Sequence, residues 1–222
     1  MLYAVWSCLF IYLFINAFNH SLQCLLRSHR RHVHSPRVRP FLHGRTETTR
    51  SVSPASAALV KRFGVRPLWH EVGDADARQE KLQLLKDATK AHVDYIKLAG
   101  QAQGVDRHFL GLLLSVQDNE AAPDLFADPV FQRSKTWRVS TSNLSHPRFV
   151  NWGYGEVTPT GVGLSYSIHP HHLQFSVTAL KKHRWTDRLV THLEEALTEM
   201  QALVEAEEAS VGTGAADIRS KL

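Results

Sequence analysis

Val162-Gly163-Leu164-Ser165-Tyr166-Ser167-Ile168, followed by His169-Pro170-His171-His172 and then Leu173-Gln174-Phe175-Ser176-Val177-Thr178-Ala179-Leu180, is the stretch on which the fold turns. In the last run Leu173, Phe175, Val177 and Ala179 occupy every second position, the period of a strand with one buried face. Two such runs around a short linker predict a strand pair, 162–168 and 173–180, with His169 to His172 as a tight turn.

Working outward, Trp185 to Glu208 reads as a long amphipathic helix with Leu189, Leu193, Leu197, Met200 and Leu203 inward. Upstream, Lys135 to Ser140 reads as a short strand. Val105 to Gln117 reads as a helix with Phe109, Leu112, Leu113 and Val116 on one face. Ala77 to Gly100 reads as another, its face formed by Leu82, Leu85, Thr89, His92, Ile96 and Ala99. Asp74 or Asp76 is placed to cap that helix, and Gly100 lies near its end. The predicted class is α/β (α+β), a mixed sheet flanked by helices.

Three zones divide the 222 residues. Residues 1–38 differ from the rest. Leu2 to Phe18 is apolar apart from Ser7 and Asn16, and Arg27, Arg30 and Arg31 follow among several histidines. The run lies at the short limit of a membrane-spanning helix, so membrane association could come only through residues 2–18. No positive charge precedes it, which disfavours a secretory signal peptide. Residues 39–210 carry the α/β pattern. Residues 211–222 read as a flexible tail ending Ser220-Lys221-Leu222, a C-terminal address for the peroxisomal import receptor.

Apolar residues make up 43% of the chain, enough for one real core. The net charge of +5 is concentrated near the N-terminus, where His20 to Arg50 holds many Arg, no Lys and one acid, Glu47. With no nucleic-acid-binding motif, the pI of 9.4 does not indicate a nucleic-acid partner. Cys8 and Cys24 both lie in the N-terminal zone, which argues against a disulfide-stapled secreted domain and suits a reducing compartment. His169, His171 and His172 have no nearby Cys or clustered carboxylate, so no metal site is assigned.

Four segments carry chemistry: Gly44-Arg45-Thr46-Glu47-Thr48-Thr49-Arg50-Ser51; Gln103-Gly104-Val105-Asp106-Arg107-His108; Ser140-Thr141-Ser142; and Gly153-Tyr154-Gly155-Glu156-Val157 leading into Gly161-Val162-Gly163-Leu164-Ser165-Tyr166. Taken alone, each has a plain reading. Arg107 could pair with Asp106 at a helix start, and Thr46 could cap a turn. Ser140 and Ser142 could end a strand, and Tyr154 could be a core residue. Arg45, Glu47 and Arg50 could form an ion network around their loop.

Together and in this order, over about Arg39 to Ala206, the segments resemble the choline/carnitine acyltransferase family, most like its carnitine O-acetyltransferases. The resemblance implies the second-domain portion of a two-domain CoA-dependent acyltransferase fold. It also implies transfer of an acyl group between acyl-CoA and carnitine, with coenzyme A as co-substrate and no bound cofactor. Arg107 matches the arginine that pairs with the carnitine carboxylate, which a planar guanidinium suits. Choline has no carboxylate, so Arg107 and Thr46 favour carnitine over choline. Thr46 matches a threonine at the same carboxylate, and Tyr154 an aromatic near the trimethylammonium. Ser142 matches the hydroxyl that donates to the oxyanion, and Ser140 a hydroxyl beside carnitine. Asn143 stands where acetyl-transferring relatives often place Gln near the coenzyme. Trp152 is bulky where long-chain members leave room, which implies a closed acyl pocket and short-chain substrates. His108 reads as a neighbour of the site, not its base.

The general-base histidine of the family belongs upstream of Gly44 in a segment not found here, and Val33 stands near where a family tyrosine belongs. The expectation is therefore a C-terminal fragment, inactive on its own, with residues 1–38 outside the family as a gene-model artefact or an anchor. The rival expectation is a membrane-tethered, non-catalytic binding protein derived from the same fold. The implied location is the peroxisome, with the mitochondrion as a second site.

Overall fold

The computed structural model describes residues 41–65, 75–169 and 171–219. The apolar run 2–18, Val33, Asp74, Pro170 and the terminal Ser220-Lys221-Leu222 lie outside them. The described elements are α1 (Pro54–Val65), α2 (Ala75–Gly100), α3 (Val105–Leu114), α4 (Asp124–Ala127), α5 (Pro129–Ser134), β1 (Val139–Asn143), β2 (Val162–Ile168), β3 (Leu173–Thr178) and α6 (Thr186–Arg219). The mixed α/β class read from the sequence is the class observed.

The strands form one sheet in the order β1-β2-β3, with β1 parallel and β3 antiparallel to β2. The predicted turn closes the β2–β3 hairpin, His169 N–H donating to His172 O at 3.0 Å. Register gives the sheet two unlike faces. Val139 pairs with Val162 and Thr141 with Leu164. Across β2 and β3, Leu164 pairs with Val177 and Tyr166 with Phe175. Val139, Val162, Leu164 and Tyr166 from this face join Leu59 and Phe63 of α1, Leu82 and Leu85 of α2, and Leu189, Leu193, Met200 and Leu203 of α6 in one core. Each large apolar side chain so buried contributes about 1.5–3 kcal/mol. The opposite face pairs Ser140 with Gly163, Ser142 with Ser165, Ser165 with Ser176 and Gly163 with Thr178. It is a hydroxyl face, and it carries one of the two groups of candidate site residues.

Two features differ from the sequence reading at helix starts. α1, which the periodicity did not reveal, is set by Ser53 and Ser56. Ser56 N–H donates to Ser53 Oγ at 3.1 Å and Ser53 N–H to Ser56 Oγ at 2.8 Å, a reciprocal cap with Pro54 in the first turn. The short α5 begins the same way, with Asp128 accepting from Val130 N and Phe131 N ahead of Pro129. α2 matches its predicted span closely. Its end is set by Ala102, not Gly100. Ala102 has φ 64°, Gln103 N–H reaches Leu98 O at 2.9 Å, and Ala102 N–H reaches Ala99 O at 3.2 Å. This is a Schellman ending with alanine where glycine is usual.

Further boundaries move. β3 ends at Thr178, two residues short of the predicted Leu180. β1 begins at Val139, so Lys135 to Arg138 precede it. α3 stops at Leu114, where Ser115 folds back to Gly111 O through both N–H and Oγ. None of its residues is buried; of the predicted inward face Leu112 is exposed, while half-buried Phe109 meets the Phe131 ring edge-on at 5.5 Å and does not join the main core. α6 continues past Glu208 to Arg219, into residues read as tail. The run Glu205-Ala206-Glu207-Glu208-Ala209 favours propagation of a helix already nucleated upstream.

Candidate active site

Thr46 and Arg107, sixty-one residues apart, meet at the start of α3. The Arg107 Nε–H donates to Thr46 O at 2.8 Å, and Nη2 donates to Thr48 Oγ1 at 3.0 Å. These two bonds lock one edge of the guanidinium to the loop. Nη1 has no partner among the described residues, so the far end of the fork is available to a carboxylate. Asp106 instead meets Arg50, at 3.4 Å. The simple pairing of Arg107 with its neighbour is therefore not what the chain forms. Arg107 and exposed His108 line a cleft of about 460 Å³ together with His43, Gly44, Glu47 and Gly104. Arg107 also reaches a second cleft of about 190 Å³, whose walls include Phe109, Phe126, Phe131 and Trp137.

The loop is anchored by Glu47, which sequence reasoning assigned to an ion network. Its buried carboxylate takes backbone donors: Thr48 N–H at 2.8 Å and Arg107 N–H at 3.2 Å. Charge pattern signals an acid among arginines, but it does not reveal that the partners are main-chain amides.

The second group lies on the hydroxyl face of the sheet. Ser140 is buried and Ser142 half-buried, two residues apart and on one face, as a shared site requires. Residues 151–155 run over this face and are tied to it by side chains that sequence reasoning passed over. Ser165 Oγ donates to Trp152 O at 2.7 Å, Thr178 Oγ1 to Tyr154 O at 2.7 Å, and Ser176 Oγ to Asn151 Oδ1 at 3.1 Å. Tyr154 returns the contact, its hydroxyl donating to Ser140 O at 2.7 Å, with Leu164 O at 3.2 Å. Burial raises the Tyr154 pKa above the ordinary phenol value, opposed by its hydrogen bonds to Ser140 and Leu164. The Trp152 ring lies 5.6 Å from that of Tyr154, and its indole N–H donates to Tyr166 O at 3.3 Å. Asn143 is turned to the end of β1, donating to Tyr166 O at 3.4 Å and accepting from Ser145 Oγ at 3.0 Å.

The structure thus assembles the candidate residues into two groups, Thr46 with Arg107 and Ser140, Ser142, Trp152 and Tyr154 on the sheet. No hydrogen bond joins the two groups directly among the described residues. No cluster of three potential metal ligands occurs among the described residues. No described helix is long and apolar enough to cross a membrane.

The sequence profile of the choline/carnitine O-acyltransferase family matches residues 25–195. The chain belongs to this family. The match begins ahead of Arg39, so it includes part of the N-terminal zone. Among its relatives, the mitochondrial carnitine O-acetyltransferase of Saccharomyces cerevisiae is 38% identical over 173 residues, covering 77% of this chain and 25% of that protein. The carnitine O-acetyltransferase of Mus musculus is 33% identical over 174 residues, 77% of this chain and 26% of that protein. The choline O-acetyltransferase of Gallus gallus is 32% identical over 185 residues, 80% of this chain and 28% of that protein. The chain spans about a quarter of the length of these relatives. The family thus includes proteins named as carnitine and as choline O-acetyltransferases.

Proposed function

We propose that this chain supplies the carnitine-binding and oxyanion-stabilising part of a carnitine O-acetyltransferase site. The observation that carries this reading is the Arg107 guanidinium, held along one edge by Thr46 O and Thr48 Oγ1 with Nη1 open. That arrangement suits a carboxylate, which carnitine has and choline lacks. In this reading Thr46 adds to the carboxylate site and the Tyr154 ring faces the trimethylammonium. Ser140 lies beside the bound substrate. The Ser142 hydroxyl, with no hydrogen-bond partner among the described residues, donates to the oxyanion formed when the carnitine oxygen attacks the thioester of acyl-CoA. Trp152, braced by Tyr166 O and Tyr154, closes the acyl side and favours acetyl or short chains. Asn143 lies near the coenzyme.

None of these residues is a general base, so the assigned side chains bind and stabilise and do not take the hydroxyl proton. The mitochondrial name of the Saccharomyces cerevisiae relative suits a mitochondrial role, and Ser220-Lys221-Leu222 suits peroxisomal import. Calorimetric titration of the full chain with carnitine, and separately with choline, tests the binding claim. Saturable carnitine binding with weaker choline binding is expected, and equal affinity for the two would sink it.

A further inference from the structure

We infer that Glu47 is the positioning residue for Arg107, acting as a helix cap supplied from across the fold; the inference rests on the carnitine reading of Arg107. α3 starts at Gly104, which offers no side chain to the orphan amides of the first turn. The Glu47 carboxylate occupies that place. It accepts from Arg107 N–H through Oε1 at 3.2 Å and Oε2 at 3.4 Å, and its own loop closes on it through Thr48 N–H at 2.8 Å. A carboxylate there also meets the positive end of the helix.

Gly104 is the complementary half of the device. A Cβ at that position would stand 2.4 Å from Glu47 Cδ, Cγ and Oε2, so only glycine lets the acid reach the helix. Glu47 is 1% exposed, and the residues on either side of it bind the Arg107 side chain, Thr46 through its carbonyl and Thr48 through its hydroxyl. One buried acid therefore fixes both the main chain of Arg107 and the two acceptors that set its guanidinium plane. Loss of the cap would let loop and helix drift apart, and a fork displaced by a fraction of an ångström no longer meets a carboxylate bidentately.

The test uses the full chain with Glu47→Gln, and with Gly104→Ala, which changes neither partner and expels the carboxylate sterically. Amide hydrogen exchange at Arg107 and its neighbours reads the cap, and titrations with carnitine and choline read the position of the fork. Exchange about tenfold faster in both variants is expected, with carnitine affinity lowered about tenfold and choline affinity unchanged. Equal loss for both ligands, or unchanged carnitine affinity with faster exchange, overturns the positioning role. Unchanged exchange in both variants overturns the cap itself. If the unaltered chain shows the Glu47-dependent protection but binds no carnitine, the cap stands and the carnitine reading fails, taking the positioning role with it.

Discussion

Gly163→Ala is the substitution whose effect the structure fixes most tightly. A Cβ at position 163 would lie 2.6 Å from Thr178 Oγ1 and 2.7 Å from Gly155 O. The first neighbour could rotate away, but its hydroxyl donates to Tyr154 O at 2.7 Å and lies 3.2 Å from Gly163 O, so rotation forfeits about 1 kcal/mol. The second is backbone and must move bodily, lifting the 151–155 segment from the hydroxyl face. Overpacking of this kind costs about 1–3 kcal/mol, so the total is about 2–4 kcal/mol. Gly153→Ala is the internal control, because its nearest contact would be Ser176 Cβ at 3.7 Å, ordinary packing. Urea unfolding of both variants against the unaltered chain measures the difference. A Gly163→Ala loss below about 0.5 kcal/mol, or one no larger than that of Gly153→Ala, would mean that the 151–155 segment is not held this closely against the sheet.

Ala102→Gly is expected to stabilise the chain by about 1 kcal/mol, since alanine now bears the left-handed turn that ends α2; a lower urea midpoint would contradict this. Tyr154 gives a pH signature. Its folded pKa lies above the unfolded value of about 10, so its contribution is complete below that pH and declines as pH rises through it. The stability difference between the unaltered chain and Tyr154→Phe should therefore shrink above about pH 10, and a constant difference would count against the buried hydroxyl. Trp152→Gly should raise the affinity of the full chain for palmitoyl-CoA relative to acetyl-CoA in competitive titration, and an unchanged preference would remove Trp152 from the acyl pocket.

What the sequence made readable was whatever repeats. The spacing of Leu189, Leu193, Met200 and Leu203 reports burial directly; in β3 the alternation places Phe175 and Val177 against the core, although all six residues of the strand are half-buried. Capping chemistry was less visible. α1 rests on a serine pair in place of the more familiar serine and glutamate, and α2 ends on an alanine that no composition rule would single out. The apolar face of α3 shows the reverse failure, because periodicity records a face that is apolar without recording how completely it is covered: Phe109 is half-buried and Leu112 exposed. The site residues came from motif resemblance. Their supports, Glu47, Ser165 and Thr178, act on backbone carbonyls and amides, which leave no mark in residue type.

The central claim is that Arg107 recognises a carboxylate through the open end of its fork. Its most direct test is the ratio of carnitine to choline affinity in the full chain before and after Arg107→Lys. Lysine keeps the charge but loses the planar edge that Thr46 O and Thr48 Oγ1 hold. The account predicts that the carnitine preference falls by about thirtyfold, equivalent to about 2 kcal/mol, while choline affinity stays unchanged. An unaltered ratio would contradict it.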